Sequence, residues 1–273
     1  MKDKKSTWVL KYGGNAMTDD KLKEKVVVAI ARLKEKGERV VVVHGGGPFI
    51  KEALQKARIK SEFIDGQRKT TLEAMQHVEM ALKGKVNTNL VSLFNKAGAK
   101  AVGLSGKDGQ VVIAKKRIHY DSATGAEVDL GQVGDVAHIN PKLINLLLEN
   151  DFIPVLTCIA ADQKGRDYNI NGDLFAGHIA GALKADHFVV LTDVDGIMMD
   201  KDDPETLIKK IESREVEKLK ATGVIQGGMI PKIDACTMAL EEGAAEALIL
   251  NGTKPKDLER IMEIDKKGTV IQK

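Results

Sequence analysis

The chain has 273 residues, enough for one large or two modest domains, and 43% of them are hydrophobic, which allows a sizeable core. Its 42 Lys and Arg nearly balance 39 Asp and Glu, and no basic block stands out, so nucleic acid is a poor candidate partner. No apolar run approaches the ~20 residues of a membrane helix. Cys158 and Cys236 are isolated, without zinc-site or disulfide spacing, so we expect a cytoplasmic protein.

Two early strands end in glycine loops. Thr7–Leu10 runs straight into Lys11 and a Gly-Gly pair, and Val40–Val43 runs into the triplet Gly45–Gly47, after which Pro48 suits the first turn of a helix. Parallel strands bring such loops to one edge of a sheet, where open α/β proteins bind ligands. Backbone amides in the triplet favour an anion site, although a tight turn that needs glycine only for positive φ is the alternative.

A polar turn precedes the long helix that the sequence predicts from Leu72 onward. We predict that the helix buries Leu72, Met75, Val78 and Leu82. Arg68 lies just before this helix. From the residues alone a surface arginine is the favoured interpretation, and a bidentate contact with a substrate carboxylate is the alternative.

The middle of the chain departs from the helix–strand alternation. Val111–Arg117 and Glu127–Val136 alternate apolar and polar residues between glycine turns, which predicts inserted antiparallel hairpins, either covering a pocket or forming an edge ribbon. Ser105–Gly109 resembles a P-loop, but the required spacing is absent, and Lys107 has no assigned role.

Three polar loops precede or follow later helices and strands. Asn169, Asn171 and Asp173 supply more polar groups than one helix cap requires, which leaves cap and site equally open. A buried strand then ends in Thr192–Ile197, where a nucleotide-binding loop fits better than an EF-hand. Gly227–Lys232 is a third glycine-to-helix transition that carries a lysine.

These features predict an α/β fold: a three-layer αβα sandwich around a mainly parallel open sheet, with β-hairpin insertions. The boundary between two domains is expected near Ala185. Two lysines in glycine loops, Lys11 and Lys232, together with Asp173, suggest phosphoryl transfer, which depends on positioning and charge neutralisation. Lys107 is a weaker third candidate. Motifs of acyl transfer or dinucleotide binding are missing from the sequence.

The chain resembles the acetylglutamate kinases of the amino acid kinase superfamily from roughly Val9 to Ile271. Each glycine loop alone is a weak signal, and the set is specific because its order and spacing match. The matching segments are Lys11–Met17, His44–Pro48, Gly66–Arg68, Gly103–Gly109, Tyr168–Asp173, Leu191–Gly196 and Gly227–Lys232.

This resemblance implies ATP-dependent phosphorylation of the side-chain carboxylate of N-acetyl-L-glutamate in arginine biosynthesis, with Mg²⁺ carried on the phosphates rather than by protein ligands. It also implies that residues 1–185 bind the acylated amino acid and form the dimer, and that residues 186–273 bind the nucleotide.

The resemblance further implies site roles. Lys11 and Lys232 would stabilise the migrating phosphoryl group, and Asp173 would orient both lysines. The amides of Gly45 and Gly46 would contact the phosphoryl group and the attacking carboxylate. The remaining implied contacts are Arg68 with the substrate α-carboxylate, Asn169 with the acetamido end, and Thr192, Asp193, Gly196, Ile197, Gly227 and Met229 with the nucleotide.

Some positions depart from the family pattern. Gly172 replaces a usual alanine, and Cys158 stands where serine is common. Few residues precede the first strand, so we expect a homodimer without arginine feedback, although residues 267–271 weakly echo the arginine-site region of sensitive members. Two alternatives stay open: a kinase acting on carrier-linked aminoadipate or glutamate, and a non-catalytic nucleotide-binding regulator, for which a nitrogen-signalling partner is conceivable but not indicated.

Overall fold

The computed structural model describes residues 5–262 and 267–273. The strands are β1 Thr7–Tyr12, β2 Arg39–His44, β3 Glu62–Ile64, β4 Gln67–Lys69, β5 Ala101–Ser105, β6 Val112–Lys116, β7 His119–Tyr120, β8 Glu127–Val128, β9 Val133–Ile139, β10 Ile153–Thr157, β11 Ile159–Ala161, β12 Asp167–Ile170, β13 His187–Thr192, β14 Lys210–Glu212, β15 Glu246–Asn251 and β16 Thr269–Gln272.

The α-helices are α1 Asp20–Glu35, α2 Gly47–Lys56, α3 Leu72–Glu79, α4 Thr88–Lys96, α5 Lys142–Glu149, α6 Gly172–Ala182, α7 Val216–Ala221, α8 Ile230–Glu242 and α9 Pro255–Glu259. A π-helix, Met80–Asn87, joins α3 to α4. No helix among the described residues is long and apolar enough to cross a membrane.

The main sheet runs, within the described residues, in the order β14-β16-β15-β13-β1-β2-β10-β5. Its neighbouring strands are parallel except for β15 and β16, which are antiparallel. The valine-rich strand β2 lies between β1 and β10, which explains why both of its faces are apolar. The predicted mainly parallel sheet is therefore confirmed.

Helices cover both faces of this sheet. Alternate residues of β2 point to opposite sides, so Val41 and Val43 pack into one apolar cluster and Val40 and Val42 into another. The first cluster includes α2, α3, α5, α6 and α8, and the second includes α1, α4 and α9. The three-layer αβα prediction is confirmed.

Inserted strands form a second, smaller layer beside the main sheet. Strands β6 and β9 pair antiparallel, and β11 and β12 close them into a small barrel. The predicted antiparallel hairpin is confirmed here, although β9 continues to Ile139 instead of ending at Val136. Two short hairpins, β3–β4 and β7–β8, lie outside this barrel.

The long helical stretch from Leu72 buries only part of the predicted stripe. Met75, Val78 and Leu82 are buried as predicted, but Leu72 is 70% exposed, so its predicted burial was wrong. The reason is its position: Leu72 directly follows Thr71, whose side chain caps the helix, and it therefore stands in the first turn beyond the core.

Candidate functional site

Two cavities meet at the carboxyl end of β1. The larger, about 310 Å³, is lined by the Gly45–Gly47 loop, Arg68, Asn169 and Asp173 among others, and we call it the Arg68 cavity. The smaller, about 150 Å³, is lined by Thr192, Asp193 and Lys232 among others, and we call it the Thr192 cavity. Lys11 and Gly14 line both, so Lys11 stands at the junction.

Asp173 binds two lysines from different parts of the chain. Its Oδ1 lies 2.7 Å from Nζ of Lys11, and its Oδ2 lies 3.6 Å from Nζ of Lys232. Asp173 stands in the first turn of α6, after Asn171, whose side chain caps the helix by accepting from the amides of Asp173 and Leu174. Asn171 therefore caps α6, and the carboxylate of Asp173 stays available to bind the two lysines.

The Asp173 carboxylate is buried, with 6% exposed. Burial on its own would raise the pKa of Asp173, but the charges of Lys11 and Lys232, with the hydrogen bonds they donate, hold it below the usual range. Asp173 is thus an anion throughout neutral pH. Two ammonium groups around one carboxylate leave an excess positive charge where the two cavities meet.

A buried histidine supports the glycine triplet from behind. His44 is fully buried, and burial lowers its pKa to about 4, so the ring is neutral. Its Nδ1 lies 2.9 Å from the carbonyl oxygen of Gly45 and therefore donates the proton. Its Nε2 then accepts from Asn87 Nδ2 at 2.9 Å, and Asn87 also donates to the carbonyl of Val155. His44 is thus a structural residue that holds the start of the glycine triplet.

The glycine triplet is covered by the π-helix. An added Cβ at Gly46 would lie 2.6 Å from Cδ2 of Leu82, so a larger residue there would require the Leu82 side chain to shift. The amide of Gly45 donates to the carbonyl of Tyr12 at 3.2 Å. Among the described residues the amide of Gly46 has no such acceptor, and it stands at the N-terminus of α2 beside the cavity, where the helix dipole favours an anion.

Arg68 lies on β4 at the wall of the Arg68 cavity. Its guanidinium stacks 4.5 Å above the ring of Phe63, donates to Ser61 Oγ and lies 3.5 Å from the carbonyl of Gly47. Burial lowers the pKa of Arg68, but a guanidinium stays protonated in proteins. In the described part of the chain no carboxylate lies within ion-pair distance of Arg68, so the cation is available to a ligand.

Asn169 lies on β12 in the wall of the same cavity. Its backbone amide donates to Gln132, while its side chain has no hydrogen-bond partner among the described residues. Cys158 also lines this cavity, and burial raises the pKa of its thiol to about 11, so the sulfur stays protonated. Asn169 is therefore the neutral polar group that this wall offers to a ligand.

The predicted nucleotide residues divide into two sets. Thr192 and Asp193 line the Thr192 cavity together with Lys232. Ile197 is buried, and its amide donates to Oγ1 of Thr269, which also lies where a Cβ of Gly196 would fall. Thr269 therefore fixes this turn, and neither Gly196 nor Ile197 lines the Thr192 cavity. Gly227 and Met229 lie in a 3-10 turn directly before α8, the helix that carries Lys232.

Lys107, the weaker third candidate, lines neither of the two cavities. Its ammonium forms ion pairs with Glu79 at 3.0 Å and Asp167 at 2.9 Å, so carboxylates already neutralise it. Arg117, in contrast, lines the Arg68 cavity and was missed. In the sequence it follows two exposed lysines at a strand end, a context without any signal for a site.

A larger groove lies elsewhere among the described residues. Its volume is about 870 Å³, and it runs between α1 and α9. Its lining consists mostly of charged residues such as Lys21, Glu24 and Lys256, and none of the predicted site residues contributes to it. Cavity size alone would therefore have directed attention away from Lys11, Asp173 and Lys232.

Comparison with known proteins identifies the family of the chain. The family model described as the amino acid kinase family matches residues 6–251. An acetylglutamate kinase of Archaeoglobus fulgidus is 44% identical over 98% of this chain and 93% of its own length, and one of Methanocaldococcus jannaschii is 46% identical over 92% and 85%.

A crystal structure of a protein from Streptococcus mutans UA159 superposes with a TM-score of 0.77, at 31% identity over 97% of this chain and 98% of that one. The resemblance to acetylglutamate kinases found in the sequence is thereby confirmed. The chain belongs to the amino acid kinase family, and acetylglutamate kinases are relatives that it matches over nearly its whole length.

Proposed function

We propose that this protein transfers the γ-phosphoryl group of ATP to the side-chain carboxylate of N-acetyl-L-glutamate, as a step of arginine biosynthesis. A carboxylate oxygen forms a bond to the γ-phosphorus, and the bond from that phosphorus to the bridging β–γ oxygen breaks. The products are N-acetyl-L-glutamyl 5-phosphate and ADP. The acetylglutamate kinases that match the chain at 44% and 46% identity support this substrate.

The observation that carries the proposal is the group Lys11–Asp173–Lys232 at the junction of the two cavities. An anionic carboxylate must approach an anionic phosphate, and the repulsion is largest at the transferred group. Two ammonium groups held by one carboxylate offset this repulsion where the charge of the transferred group concentrates. The two lysines act from opposite sides, and Asp173 fixes their spacing.

The acceptor would occupy the Arg68 cavity. Arg68 binds the α-carboxylate, since its guanidinium lacks a carboxylate partner in the described part of the chain and offers two parallel donors. Asn169 binds the acetamido group. The amides of Gly45 and Gly46 are proposed to face the reacting groups, and Gly45 must release its 3.2 Å bond to Tyr12 in order to do so.

ATP would enter the Thr192 cavity. Thr192, Asp193, Gly196 and Ile197 then contact the nucleotide from one side, and the turn with Gly227 and Met229 from the other. No group of three or more metal-ligating side chains occurs among the described residues, and Asp173 is engaged by two lysines. Mg²⁺ would therefore be held by the phosphate oxygens, where it supplies further charge neutralisation.

The proposal also assigns the two substrates to different parts of the chain and includes a homodimer and a cytoplasmic location. Residues 1–185 carry the acceptor site and residues 186–273 the nucleotide site, with β1 and β13 as the strands that join them. We include a homodimer because β5 ends the main sheet with an edge that no described strand covers. A cytoplasmic location is supported by Cys158 and Cys236, which are both buried free thiols.

A hydroxylamine trap tests the reaction and the substrate together. The purified protein is incubated with ATP, Mg²⁺, hydroxylamine and one acceptor, and the hydroxamate formed from the acyl phosphate is measured. We expect hydroxamate with N-acetyl-L-glutamate and much less with N-acetyl-L-aspartate or free glutamate. Preference for a carrier-linked aminoadipate would overturn the substrate, and the absence of hydroxamate with every acceptor would overturn the kinase activity.

A further inference from the structure

The hairpin that carries Arg68 has little apolar support of its own. Strands β3 and β4 are three residues each, and Phe63 is 55% exposed. Their turn, Asp65–Gly66, has positive φ at both residues, as two-residue hairpin turns require. An isolated hairpin of this size is marginal in water. Other contacts must therefore fix the position of Arg68.

One set of contacts fixes the end of the hairpin near the barrel. The amide of Thr70 donates to the carbonyl of Leu130 at 2.9 Å, and the amide of Gln132 donates to the carbonyl of Thr70 at 2.6 Å. These bonds hold the chain only where β4 ends. The turn at the opposite end of the hairpin needs a separate attachment.

The turn is attached to the β7–β8 hairpin through Asp65. One carboxylate oxygen accepts from the amide of Ser122 at 2.9 Å and lies 2.9 Å from Nε2 of His119, while the other accepts from the hydroxyl of Ser122 at 2.5 Å. The bonds from Ser122 and His119 hold the pKa of Asp65 below its usual range. Asp65 is therefore an anion that uses both of its oxygens.

A second link runs through Gln67, the neighbour of Arg68. Because the Asp65 carboxylate only accepts, Nε2 of His119 carries a proton, and Nδ1 of a neutral ring can accept from Gln67 Nε2 at 3.3 Å. Gln67 Oε1 accepts from Nη1 of Arg117 at 2.6 Å. Arg117 in turn donates through Nε to Asp135 of β9 at 2.8 Å.

The donors and acceptors of this chain of contacts match from end to end. It starts at the barrel strand β9, crosses two residues that line the Arg68 cavity, and ends at the hairpin turn. We call it the hairpin network: Asp135, Arg117, Gln67, His119, Asp65 and Ser122. The bonds made by Gln67 and Asp65 join the β3–β4 hairpin to segments at least 50 residues away, so they fix the hairpin relative to the rest of the fold.

We propose that the hairpin network positions Arg68 and thereby sets the affinity for the acceptor carboxylate, with Asp65 and His119 as positioning residues that do not contact the substrate. The inference rests on the proposed function, because it takes Arg68 as the acceptor contact. Loss of the network frees the turn, and the acceptor then has to order the hairpin when it binds. The free energy of ordering the hairpin therefore weakens acceptor binding and leaves nucleotide binding unchanged.

The test uses the full-length variants Asp65→Asn and His119→Ala. Asparagine tolerates the positive φ at position 65, so the turn itself is kept. We expect the KM for N-acetyl-L-glutamate to rise about tenfold in each variant, with the KM for ATP and kcat within about twofold of the unmodified protein. His119→Gln keeps a donor toward Asp65 and should recover part of the affinity.

Asp121→Asn is the matched control. Asp121 lies in the turn after β7, and its Oδ1 accepts from the amides of Ala123 and Thr124 and from the hydroxyl of Thr124. Its charge repels that of Asp65, but among the described residues its side chain shares no hydrogen bond with β3–β4. Its substitution removes the same charge and should leave the KM for the acceptor unchanged. An unchanged KM in Asp65→Asn and His119→Ala would overturn the proposal, as would equal increases of both KM values.

A second measurement does not depend on the reaction. Hydrogen–deuterium exchange of residues 62–69 in the ligand-free protein should accelerate in Asp65→Asn and stay unchanged in Asp121→Asn. If the protein fails to phosphorylate N-acetyl-L-glutamate, the proposed function is wrong, yet the exchange experiment still tests the network. Unchanged exchange in Asp65→Asn would overturn the network as the support of the hairpin.

Discussion

The two lysines that share Asp173 differ in how the fold holds them. Lys11 belongs to β1, at the centre of the main sheet, paired in register with Val190 on one side and Val43 on the other, and it is 7% exposed. Lys232 stands in the first turn of α8, behind a glycine-rich turn. Its Nζ lies 3.6 Å from Asp173 and donates to the carbonyl of Gly228 at 3.1 Å.

Lys11 is positioned by the core of the main sheet, whereas Lys232 is positioned by the glycine-rich turn before α8. The backbone of Lys11 cannot move without disturbing the parallel strands on either side of it. Lys232, whose side chain is 21% exposed, keeps its position through one long ion pair and one bond to its own turn. We infer that the transferred group meets one fixed charge and one adaptable charge, and three predictions examine that contrast.

The first and largest prediction concerns turnover. Lys11→Ala should lower kcat about a thousandfold and Lys232→Ala about a hundredfold, because the fixed charge is oriented before the reaction and the adaptable one only during it. The hydroxamate assay at saturating substrates measures both. Circular dichroism should report an intact fold for each variant.

Arginine variants serve as the control for charge alone. Lys232→Arg should recover part of the lost kcat, since that side chain reaches solvent and can adjust. Lys11→Arg should not, because the bulkier guanidinium would disturb the 2.7 Å contact between the buried Lys11 ammonium and Asp173. Equal recovery in the two arginine variants would contradict the distinction between a fixed and an adaptable lysine.

The second prediction concerns the stability of the protein in acid. It tests the region around Lys11, where His44 of β2 pairs in register with Tyr12 of β1. The unfolded chain takes up a proton on this histidine near pH 6.5, whereas burial lowers its folded pKa to about 4. Stability is therefore present above pH 6.5 and is lost as pH falls toward 4. Between pH 7.5 and pH 5 the loss should be about 2 kcal/mol in the free energy of unfolding.

Urea unfolding at the two pH values measures this loss, and His44→Asn is the comparison. Asparagine does not titrate, so the variant should lose about 2 kcal/mol less than the unmodified protein over the same interval, whatever its stability at neutral pH. Carboxylates and the other histidines are common to both proteins. An identical loss in both would show that His44 does not resist protonation in the fold.

The third and smallest prediction concerns the space around the Lys11 ammonium. An added Cβ at Gly13 would lie 3.1 Å from Nζ of Lys11 and 3.3 Å from its Cε. Gly13→Ala should displace the ammonium by a few tenths of an ångström and lower kcat about three- to tenfold. Gly84→Ala, where an added Cβ meets nothing within 4 Å, is the control and should keep kcat within about twofold. Wild-type kcat in Gly13→Ala would show that Lys11 is less constrained than its burial indicates.

The sequence predicted the parts of the site that combine chemistry with strong local patterns. Lys11 and the glycine triplet each follow a strand of continuous apolar residues, and the rules for parallel sheets bring such ends together. Asp173 stood out because a helix cap needs fewer polar groups than this segment contains. Arg68 was favoured as a surface residue on its own, and only the resemblance to a family indicated a role.

The hairpin network and the π-helix gave no comparable signal. Arg117 reaches Gln67 from 50 residues away, and strands of two or three residues show no periodicity. The exposed Leu72 was misassigned because helical spacing cannot reveal where the neighbouring layer ends. Tertiary contacts decide each of these cases, and they are not encoded in any single window of sequence.

The π-helix Met80–Asn87 has a consequence for how this chain tolerates insertions and deletions. Each residue turns an α-helix by about 100°, so removing one residue here to restore an ordinary helix would rotate everything on one side of the deletion relative to the other. Leu82 and Asn87 could then not both keep their places, the one against Gly46 and the other between His44 and Val155. The number of residues in this segment is therefore constrained as tightly as the identity of those residues. The π-helix contributes Leu82 to the wall of the Arg68 cavity, and its rotational phase sets how Leu82 meets the Gly45–Gly47 loop.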